Sequence, residues 1–450
     1  MVHGAKVVIV GGGLAGISAA IKVQEELDGV DLRLVEKGAH LGGRAGSVDY
    51  RGHKLDVGQH LHVNAFEYYR CLLEKIGLSG QLFTQPSLSA EFRDLTGRKG
   101  HVYTTDLFPP LHLLPSLARF PFISKTQKLR AVIPALRATL GLEGRKGREI
   151  SFEDWLQGNG VRDSSIDKLW NAFIVPTLNA PCSEVNVDMG MMILKRVLLD
   201  KAGGRLGYLE APLSRIGDAA KKTIESRGGT VTTEKVASSI EGRAEGGFRV
   251  GFSDGDQLSA DALVLAVPAY VASDLVSTGI RNQLLTPFWD LRWNPIINVH
   301  LFYDRPVTDI DFFGLIDGVG GWVFNVSWDG FEPGSHLCVS ISDPGDLFNL
   351  PPDQLCELVL EQLEMVVPGA RSAAPDDRLV IKRPRATILT APGSGRLRPP
   401  ASTPVDKLFF AGDWTDTGWP STMEGAVRSG VNAGAEVIGE VSGKSLKAKA

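Results

Sequence analysis

Residues 6–10 of the chain read KVVIV and residues 11–16 read GGGLAG, and this pair of segments is the clearest indication of the fold. An apolar strand that runs into a glycine loop, followed by a helix and a second strand at about residues 32–36, predicts a βαβ unit. In the pattern GxGxxG, glycines allow a tight turn and let a helix N-terminus approach a pyrophosphate. The opening of the chain therefore predicts a Rossmann-type dinucleotide-binding domain with a parallel sheet.

The context of this loop separates it from an ordinary surface turn. Glu36 lies 20 residues after Gly16, at the end of the second predicted strand. A carboxylate at that place can bind the ribose hydroxyls of an adenosine and disfavours a 2′-phosphate. The alternative, a glycine-rich turn beside an exposed glutamate, leaves unexplained why the loop follows a strand and opens a helix.

Two further segments indicate which dinucleotide is bound. Residues 42–44 read GGR, and such a pair of glycines lets backbone amides and a guanidinium meet a phosphate. A nicotinamide enzyme does not require this second loop, whereas the longer FAD molecule does. Near the other end, residues 408–413 read LFFAGD and residues 422–430 read TMEGAVRSG. A buried strand that leads to Asp413 can present a carboxylate to the ribityl chain, and the following helix start can present amides to the flavin.

Length and composition predict a soluble globular α/β protein. The chain has 450 residues, of which 43% are apolar and 22% charged, and its net charge of −4 does not predict a nucleic-acid partner. The alternation of strands and helices stops near residue 76, returns at about 205 and stops again near 291. We therefore expect a discontinuous FAD-binding domain at residues 1–75, 205–290 and 395–442, a substrate-binding lobe of antiparallel sheet and helices at 76–204 and 291–394, and a flexible tail at 443–450.

Cysteine usage and hydropathy favour a cytoplasmic enzyme. The four cysteines, Cys71, Cys182, Cys338 and Cys356, have no metal-ligand spacing, so we expect reduced thiols and no metal site. No run of about 18 apolar residues is present, and the first apolar segment is too short for a signal peptide.

In this order, these motifs and the AVP at residues 266–268 resemble the flavin-containing amine oxidase and phytoene desaturase superfamily. Within it, LDVGQHL at 55–61, PTLNAP at 176–181, and GDWT and WPSTMEGA at 412–415 and 419–426 resemble the hydroxysqualene dehydroxylases. Val57 departs from that branch, where asparagine is common. The resemblance implies FAD and reductive removal of an allylic hydroxyl from hydroxysqualene, giving squalene for hopanoid or related triterpenoid synthesis.

The motifs and the resemblance together give the residues that we expect to contact FAD. They are Gly11, Gly13, Leu14, Ala15, Gly16, Glu36, Lys37, Gly42, Gly43, Arg44, Gly58, Gln59, Val236, Gly412, Asp413, Met423, Glu424 and Ala426.

His60 and Gln59 are the candidate catalytic residues. Loss of an allylic hydroxide requires a proton donor, and we expect His60 to be that donor or to orient the substrate, with Gln59 beside the flavin ring. The alternative is a structural histidine in a His60-x-His62 strand. Metal binding by His53, His60 and His62 is disfavoured because no further ligand stands at a suitable spacing.

Trp414 and Trp419 flank Asp416 just after the predicted ribityl-binding Asp413. Aromatic faces beside the flavin could shape an apolar tunnel, and packing in the core is the alternative for both.

Residues 104–148 combine leucine, isoleucine, valine and phenylalanine with a series of lysines and arginines and few acidic residues. Helices of this kind suit the surface of an anionic bilayer, so we expect membrane-contact helices at about 104–148 and a peripheral enzyme on the inner face of the cell membrane. The alternative is an ordinary lobe whose apolar face packs inward.

Three other functions stay open. A carotenoid or phytoene desaturase would use the flavin in the oxidative direction, and a flavin amine oxidase would need an aromatic cage. A prenyl-lipid escort protein on the same fold would need no complete cofactor site. Glu36, Arg44 and Asp413 indicate a complete site and so disfavour this function. The partners that we expect are an apolar isoprenoid substrate and an electron donor that no motif identifies.

Overall fold

The structure is a computed structural model that describes residues 4–142, 149–162, 164–326 and 330–443. Within these residues the strands are β1 (Lys6–Val10), β2 (Asp31–Val35), β3 (Ser47–Tyr50), β4 (His53–Asp56), β5 (His62–Val63), β6 (Leu82–Thr84), β7 (Ser89–Arg93), β8 (Lys99–Tyr103), β9 (Leu206–Leu209), β10 (Thr230–Thr232), β11 (Ala237–Gly242), β12 (Phe248–Phe252), β13 (Gln257–Ala260), β14 (Ala262–Leu265), β15 (Trp293–Phe302), β16 (Phe312–Leu315), β17 (Gly321–Asn325), β18 (His336–Ser342), β19 (Asp377–Ile388) and β20 (Leu408–Phe410).

The α-helices alternate with these strands only in parts of the chain. They are α1 (Leu14–Glu26), α2 (Glu67–Lys75), α3 (Leu114–Arg119), α4 (Lys125–Thr139), α5 (Phe152–Gly158), α6 (Asn171–Leu178), α7 (Val187–Ile193), α8 (Ser214–Ser226), α9 (Ala269–Leu275), α10 (Thr278–Arg281), α11 (Pro352–Val366) and α12 (Met423–Ser442). Two segments of π-helix, Ile166–Trp170 and Leu194–Leu198, lie beside α6 and α7.

A five-stranded parallel sheet in the order β10-β2-β1-β14-β20 joins strands from both ends and the middle of the chain. Helices α1 and α12 lie against each other over it, and their backbones meet where a side chain at Gly430 would stand 2.1 Å from the carbonyl oxygen of Ala15. Such a close approach of two helices requires glycine at position 430. The predicted βαβ unit and Rossmann-type sheet are confirmed.

Antiparallel sheets make up much of the rest of the molecule. The sheet β11-β12-β13 packs its apolar side chains on the face of the parallel sheet opposite to α1. A seven-stranded sheet in the order β19-β15-β18-β17-β16-β7-β8 is antiparallel except between β16 and β7. Helix α11 covers one face of it. The predicted α/β class, with parallel and antiparallel sheets, is confirmed.

The region from residue 76 to 204 contributes strands to the antiparallel part of the molecule, because β7 and β8 join the seven-stranded sheet. In β7 the buried residues are Ala90, Phe92 and Arg93, and a five-residue strand that buries an arginine gives only a weak strand pattern in the sequence. The distribution of sheets supports our division of the chain into an FAD-binding domain and a second lobe, which stays a proposal.

Two further properties bear on the environment of the protein. No disulfide joins the four cysteines, all of which lie in the described residues. None of the helices in the described ranges combines the length and the apolar character that crossing a membrane requires. The predicted flexible tail lies outside the described residues from position 444 onwards.

Candidate cofactor and substrate site

The first glycine loop lies between β1 and α1 and has room for nothing but backbone at two of its positions. Gly11 has a φ of 109°, and a side chain there would stand 2.5 Å from the carbonyl oxygen of Ala266 at the end of β14. A side chain at Gly16 would stand 1.9 Å from the carbonyl oxygen of Gly11. At Gly13, in contrast, no atom lies within 4 Å of where a side chain would be. The loop thus packs tightly on the sheet and is open at Gly13, as a helix N-terminus that receives a phosphate requires.

Glu36 follows β2 and fixes two backbone amides beside this loop. Its Oε2 accepts a hydrogen bond from the amide of Gly12 at 2.7 Å, and its Oε1 accepts one from the amide of Gly38 at 2.8 Å. A carboxylate that holds two amides is oriented by them and keeps lone pairs for a ribose hydroxyl.

The second glycine loop touches the first. The amide of Gly42 donates to the carbonyl of Gly12 at 2.8 Å, and a side chain at Gly43 would stand 3.1 Å from the Cα of Gly13. Gly42 and Gly43 both have positive φ, 114° and 63°, which favours glycine. The two loops that the sequence predicts for one pyrophosphate are therefore neighbours in space.

Arg44 links this loop to the C-terminal motif. Its Nη2 lies 2.5 Å from Oδ1 of Asp413, and its Nη1 donates to the carbonyl of Ala386 at 2.8 Å. The Oδ2 of Asp413 accepts a short hydrogen bond from the hydroxyl of Ser421. Asp413 is buried, while Arg44 is half-exposed and stacks over the ring of Trp293. The predicted phosphate-binding and ribityl-binding residues thus meet in one ion pair.

The start of α12 lies next to Asp413. Thr422 caps the helix, because its hydroxyl oxygen accepts a hydrogen bond from the amide of Gly425 at 3.2 Å. A side chain at Gly425 would lie 2.4 Å from the carbonyl oxygen of Pro420. Gly412 has a φ of 150°, and its amide donates to the hydroxyl of Ser429 at 2.8 Å. A helix of this length carries a positive dipole at its N-terminus, which favours the electron-rich end of a flavin.

We expected Glu424 to contact the cofactor, but its side chain forms hydrogen bonds with the start of α2. Its carboxylate accepts the amides of Tyr68 and Tyr69 at 3.2 and 2.9 Å and pairs with Arg428, whose Nε lies 2.6 Å away. Burial raises the pKa of this carboxyl group, and the two amides and Arg428 oppose that rise. Glu424 therefore fixes the start of α2 against α12.

The other expected contacts differ in their exposure. Leu14 and Ala15 are buried at the start of α1, and Met423 is buried at the start of α12. Ala426 is half-buried one residue beyond Gly425, Lys37 is exposed, and Val236 is exposed in the chain that follows β10. Backbone hydrogen bonds from Glu234 to Gly38 and from Lys235 to Glu36 hold that segment next to the end of β2.

Gln59 and His60 border a cavity of about 240 Å³, which includes the open space at its mouth and which we call the inner cavity. Its other lining residues are Leu61, Tyr208, Asp311, Phe312, Phe324 and Asn325. The Nε2 of Gln59 is buried and makes no hydrogen bond in the described structure. A buried amide without a partner costs about 1–3 kcal/mol and is available to a bound molecule.

The ring of His60 has a defined orientation. Its Nδ1 lies 2.7 Å from the carbonyl oxygen of Gly58, and a carbonyl can only accept, so Nδ1 carries the proton. Burial lowers the pKa of His60, and the nearby charge of Arg44 lowers it further. The neutral ring then presents Nε2 as a hydrogen-bond acceptor.

The remaining histidines of this region have separate surroundings. The Nε2 of His62 lies 3.1 Å from the hydroxyl of Thr84, and burial lowers the pKa of His62 to about 4. His53 stacks on Phe331 with ring centroids 4.1 Å apart. Within the described ranges, no three histidine, cysteine or acidic side chains are grouped closely enough to hold a metal ion.

The two tryptophans after Asp413 occupy different environments. Trp414 is fully buried in the core with Phe288 and Phe410 and donates through Nε1 to the carbonyl of Val267 at 2.9 Å. For Trp414 the structure therefore shows the core-packing alternative. Trp419 is half-buried, packs edge-on against Phe66 and lies under Arg428.

Sequence reasoning missed Asn298, which supports the loop that carries Gln59 and His60. Asn298 lies in β15, is 1% exposed, and donates through Nδ2 to the carbonyl of Val57 at 3.2 Å. An asparagine inside an apolar strand is the pattern that could have identified it, because buried amides require partners.

The glycine loops, Glu36 and the Arg44–Asp413 pair lie close together, as the sequence predicts for the site of a dinucleotide such as FAD. The family model described as flavin containing amine oxidoreductase matches residues 14–438. The chain therefore belongs to the flavin-containing amine oxidoreductase family, and it is an FAD-dependent oxidoreductase.

Individual relatives cover nearly the whole chain. A hydroxysqualene dehydroxylase of Zymomonas mobilis is 26% identical over 436 residues, which are 94% of this chain and 97% of the relative. A 15-cis-phytoene desaturase of Solanum lycopersicum is 25% identical over 94% of this chain and 76% of its own length. Among solved structures, an oxidoreductase from Methanosarcina mazei has a TM-score of 0.73 at 20% identity, covering 94% of this chain and 98% of its own. That structural likeness shows the fold alone.

Proposed function

We propose that the protein removes the allylic hydroxyl of hydroxysqualene reductively and forms squalene, as part of hopanoid or related triterpenoid synthesis. The observation that carries the proposal is the inner cavity, where Gln59 and His60 border a space with aromatic walls. The near-full-length similarity to a protein named hydroxysqualene dehydroxylase supports it.

The chemistry balances as a two-electron reduction. When bound and reduced, the flavin supplies the hydride that forms the new C–H bond, while the C–O bond breaks and the hydroxide takes up a proton and leaves as water. An external electron donor must return the two electrons to the flavin.

The chain's own residues would bind and orient the substrate. We propose that the substrate hydroxyl donates a hydrogen bond to Nε2 of the neutral His60, which holds the allylic C–O bond in one orientation. The amide of Gln59 has the free donor that a departing oxygen requires. Because the environment of His60 disfavours its protonated form, the arrangement supports the orienting role over that of proton donor.

We propose that Glu36, Arg44 and Asp413 hold the FAD at its ribose, pyrophosphate and ribityl parts. Their positions around the two touching glycine loops support this. With the other expected cofactor residues they would form one continuous site from β2 to α12.

The surface of α4 supports a peripheral membrane position. Leu129, Ile133, Leu136 and Leu140 repeat at helical spacing and are exposed, the first of them to 71%. The basic residues of α4 beside this stripe are Lys125, Lys128, Arg130 and Arg137, and α4 contains no acidic residue. The predicted basic residues 145, 146 and 148 lie outside the described residues. A helix that exposes leucines within a basic rim suits an anionic bilayer. We propose contact with the inner face of the cell membrane.

The test is a single-turnover reaction. The purified protein, reduced with dithionite without oxygen, is mixed with hydroxysqualene and the products are measured by gas chromatography with mass spectrometry. We expect squalene and an equal amount of reoxidised flavin. Flavin that stays reduced without squalene would contradict the proposal.

A carotenoid desaturase is the second candidate, because a phytoene desaturase also matches nearly the whole chain. Oxidised protein mixed with phytoene would then give a desaturated product and reduced flavin. A flavin amine oxidase is a further alternative, which the match to the amine oxidoreductase family model supports.

A further inference from the structure

An apolar cavity of about 660 Å³, which includes the open space at its mouth, lies between α3, α4 and the two π-helical segments; we call it the outer cavity. Leu114 and Leu117 line it from α3, and Ala131 and Ala135 line it from α4. The exposed leucine stripe is on the other side of the same helix α4. The outer cavity therefore lies directly behind the surface proposed to meet the bilayer.

Aromatic side chains stand between the outer and inner cavities. Phe120 and Phe173 line the outer cavity, and both contact the ring of Phe92, with centroids 6.1 and 5.4 Å apart. Phe92 in turn packs edge-on against Trp322 at 5.7 Å. These contacts lead from the outer cavity into the middle of the seven-stranded sheet.

The inner side of the same group faces Gln59 and His60. Trp322 contacts Phe312 at 5.7 Å and Phe324 at 6.5 Å, and both of these phenylalanines line the inner cavity. Phe92 thus contacts the lining of the outer cavity, Trp322 contacts the lining of the inner cavity, and we call these two touching rings the aromatic wall.

A glycine in β16 makes space for the wall. A side chain at Gly314 would stand 2.7 Å from the ring of Phe92 and 3.5 Å from that of Trp322. Phe92 is 1% and Trp322 is 8% exposed, so the wall is closed in this conformation. Along this line of contacts, a long apolar chain can pass from one cavity to the other when these rings turn aside.

We propose that Phe92 and Trp322 determine which chain lengths reach the flavin side, by separating a membrane-side chamber for the apolar tail from the chamber beside Gln59 and His60. This inference rests on the proposed function. A thirty-carbon isoprenoid exceeds the inner cavity, and on this proposal its tail passes the wall and occupies the outer cavity. A fifteen-carbon isoprenoid can occupy one chamber and depends less on the wall.

The test measures uptake of apolar molecules and does not require turnover. Flavin-loaded protein is mixed with liposomes that contain squalene or farnesene, is separated from them, and is extracted for mass spectrometry at successive times. In Trp322→Leu and Phe92→Leu we expect squalene uptake to become roughly three- to tenfold faster relative to farnesene uptake, because one ring less must turn aside.

Phe313→Leu is the matched control. Phe313 is an equally buried phenylalanine of β16, but its side chain packs in the core on the α11 side of the sheet. It should lose similar stability and leave the ratio of the two uptake rates unchanged. A second variant, Ala135→Phe, fills part of the outer cavity and should reduce the squalene retained while farnesene is still bound.

An unchanged ratio in both wall variants, an equal rise in Phe313→Leu, or no squalene uptake by any form would overturn the proposal. The outcome is separable from that of the proposed function. Protein that takes up squalene with the expected ratios but does not convert hydroxysqualene would contradict the dehydroxylase proposal and leave the wall supported.

Discussion

Arg44 and Asp413 form an ion pair with 2.5 Å between Nη2 and Oδ1, although 369 positions separate them in the chain. The pair closes the cofactor site by joining the second glycine loop to the strand end after β20. Asp413 is buried and therefore depends on its partners, since a buried carboxylate without them is costly.

Replacement of Arg44 by alanine should therefore weaken FAD binding. We expect a loss of about 1–3 kcal/mol, or roughly a tenfold to hundredfold higher dissociation constant. Titration of apoprotein with FAD, followed by flavin fluorescence, measures it. Arg33→Ala is the control, because Arg33 is equally exposed and its partner Asp31 lies away from the site. Equal affinities in both variants would mean that Arg44 does not serve the cofactor.

The sequence predicted the elements on which this pair depends, because each is a local pattern. The glycine loops, Glu36 and the Gly412-Asp413 strand end are recognisable from spacing alone. What they touch is decided by tertiary packing. Glu424 accepts two amides from residues about 355 positions away, and nothing near it in sequence indicates that partner.

The aromatic and histidine predictions show the same limit. Trp414 could have faced the flavin or the core, and only the positions of Phe288 and Phe410 decide for the core. Likewise, the alternation in His60-x-His62 does not distinguish the histidine that borders the inner cavity from the one that bonds Thr84.

His60 should be important for turnover and unimportant for flavin binding. In His60→Ala we expect the flavin absorbance to be retained while the rate of squalene formation falls roughly 10- to 100-fold, because the substrate hydroxyl loses its orienting acceptor. Single-turnover flavin reoxidation measures the rate. An unchanged rate would remove His60 from the mechanism.

Asn298 should act on the same step through the loop. Asn298→Ala removes the hydrogen bond to the carbonyl of Val57, so we expect a lower kcat, by roughly tenfold, with little change in KM. Asn294→Ala is the control, since Asn294 lies in the same strand but donates to the carbonyl of Asn179 at 2.8 Å. If both variants lose only stability and keep kcat, Asn298 is merely structural.

His62 should make stability depend on pH. Burial lowers its pKa from 6.5 to about 4, so the unfolded chain binds the proton more readily than the folded chain. Stability from this group is therefore complete above pH 6.5 and is lost as the pH falls towards 4, by about 3 kcal/mol in total.

Urea unfolding at pH 7 and pH 4.5 measures this effect. In His62→Gln the difference between the two pH values should become smaller, because glutamine does not titrate. His40→Gln replaces an exposed histidine and should leave the difference as it is in the unchanged protein. A difference that is the same in all three proteins would show that His62 does not control it.

The exposed leucines of α4 should contribute to binding of anionic membranes. Replacement of Leu129 and Leu136 by serine removes two exposed apolar side chains from the middle of the proposed membrane surface. Since each leucine that enters the bilayer boundary contributes on the order of 1 kcal/mol or more, binding to anionic liposomes should fall by roughly tenfold or more. Co-sedimentation at low salt measures it, and added salt should weaken binding of the unchanged protein. Leu285→Ser is the control, because Leu285 is 83% exposed and lies outside α4. Equal binding by all three proteins would mean that α4 does not meet the membrane.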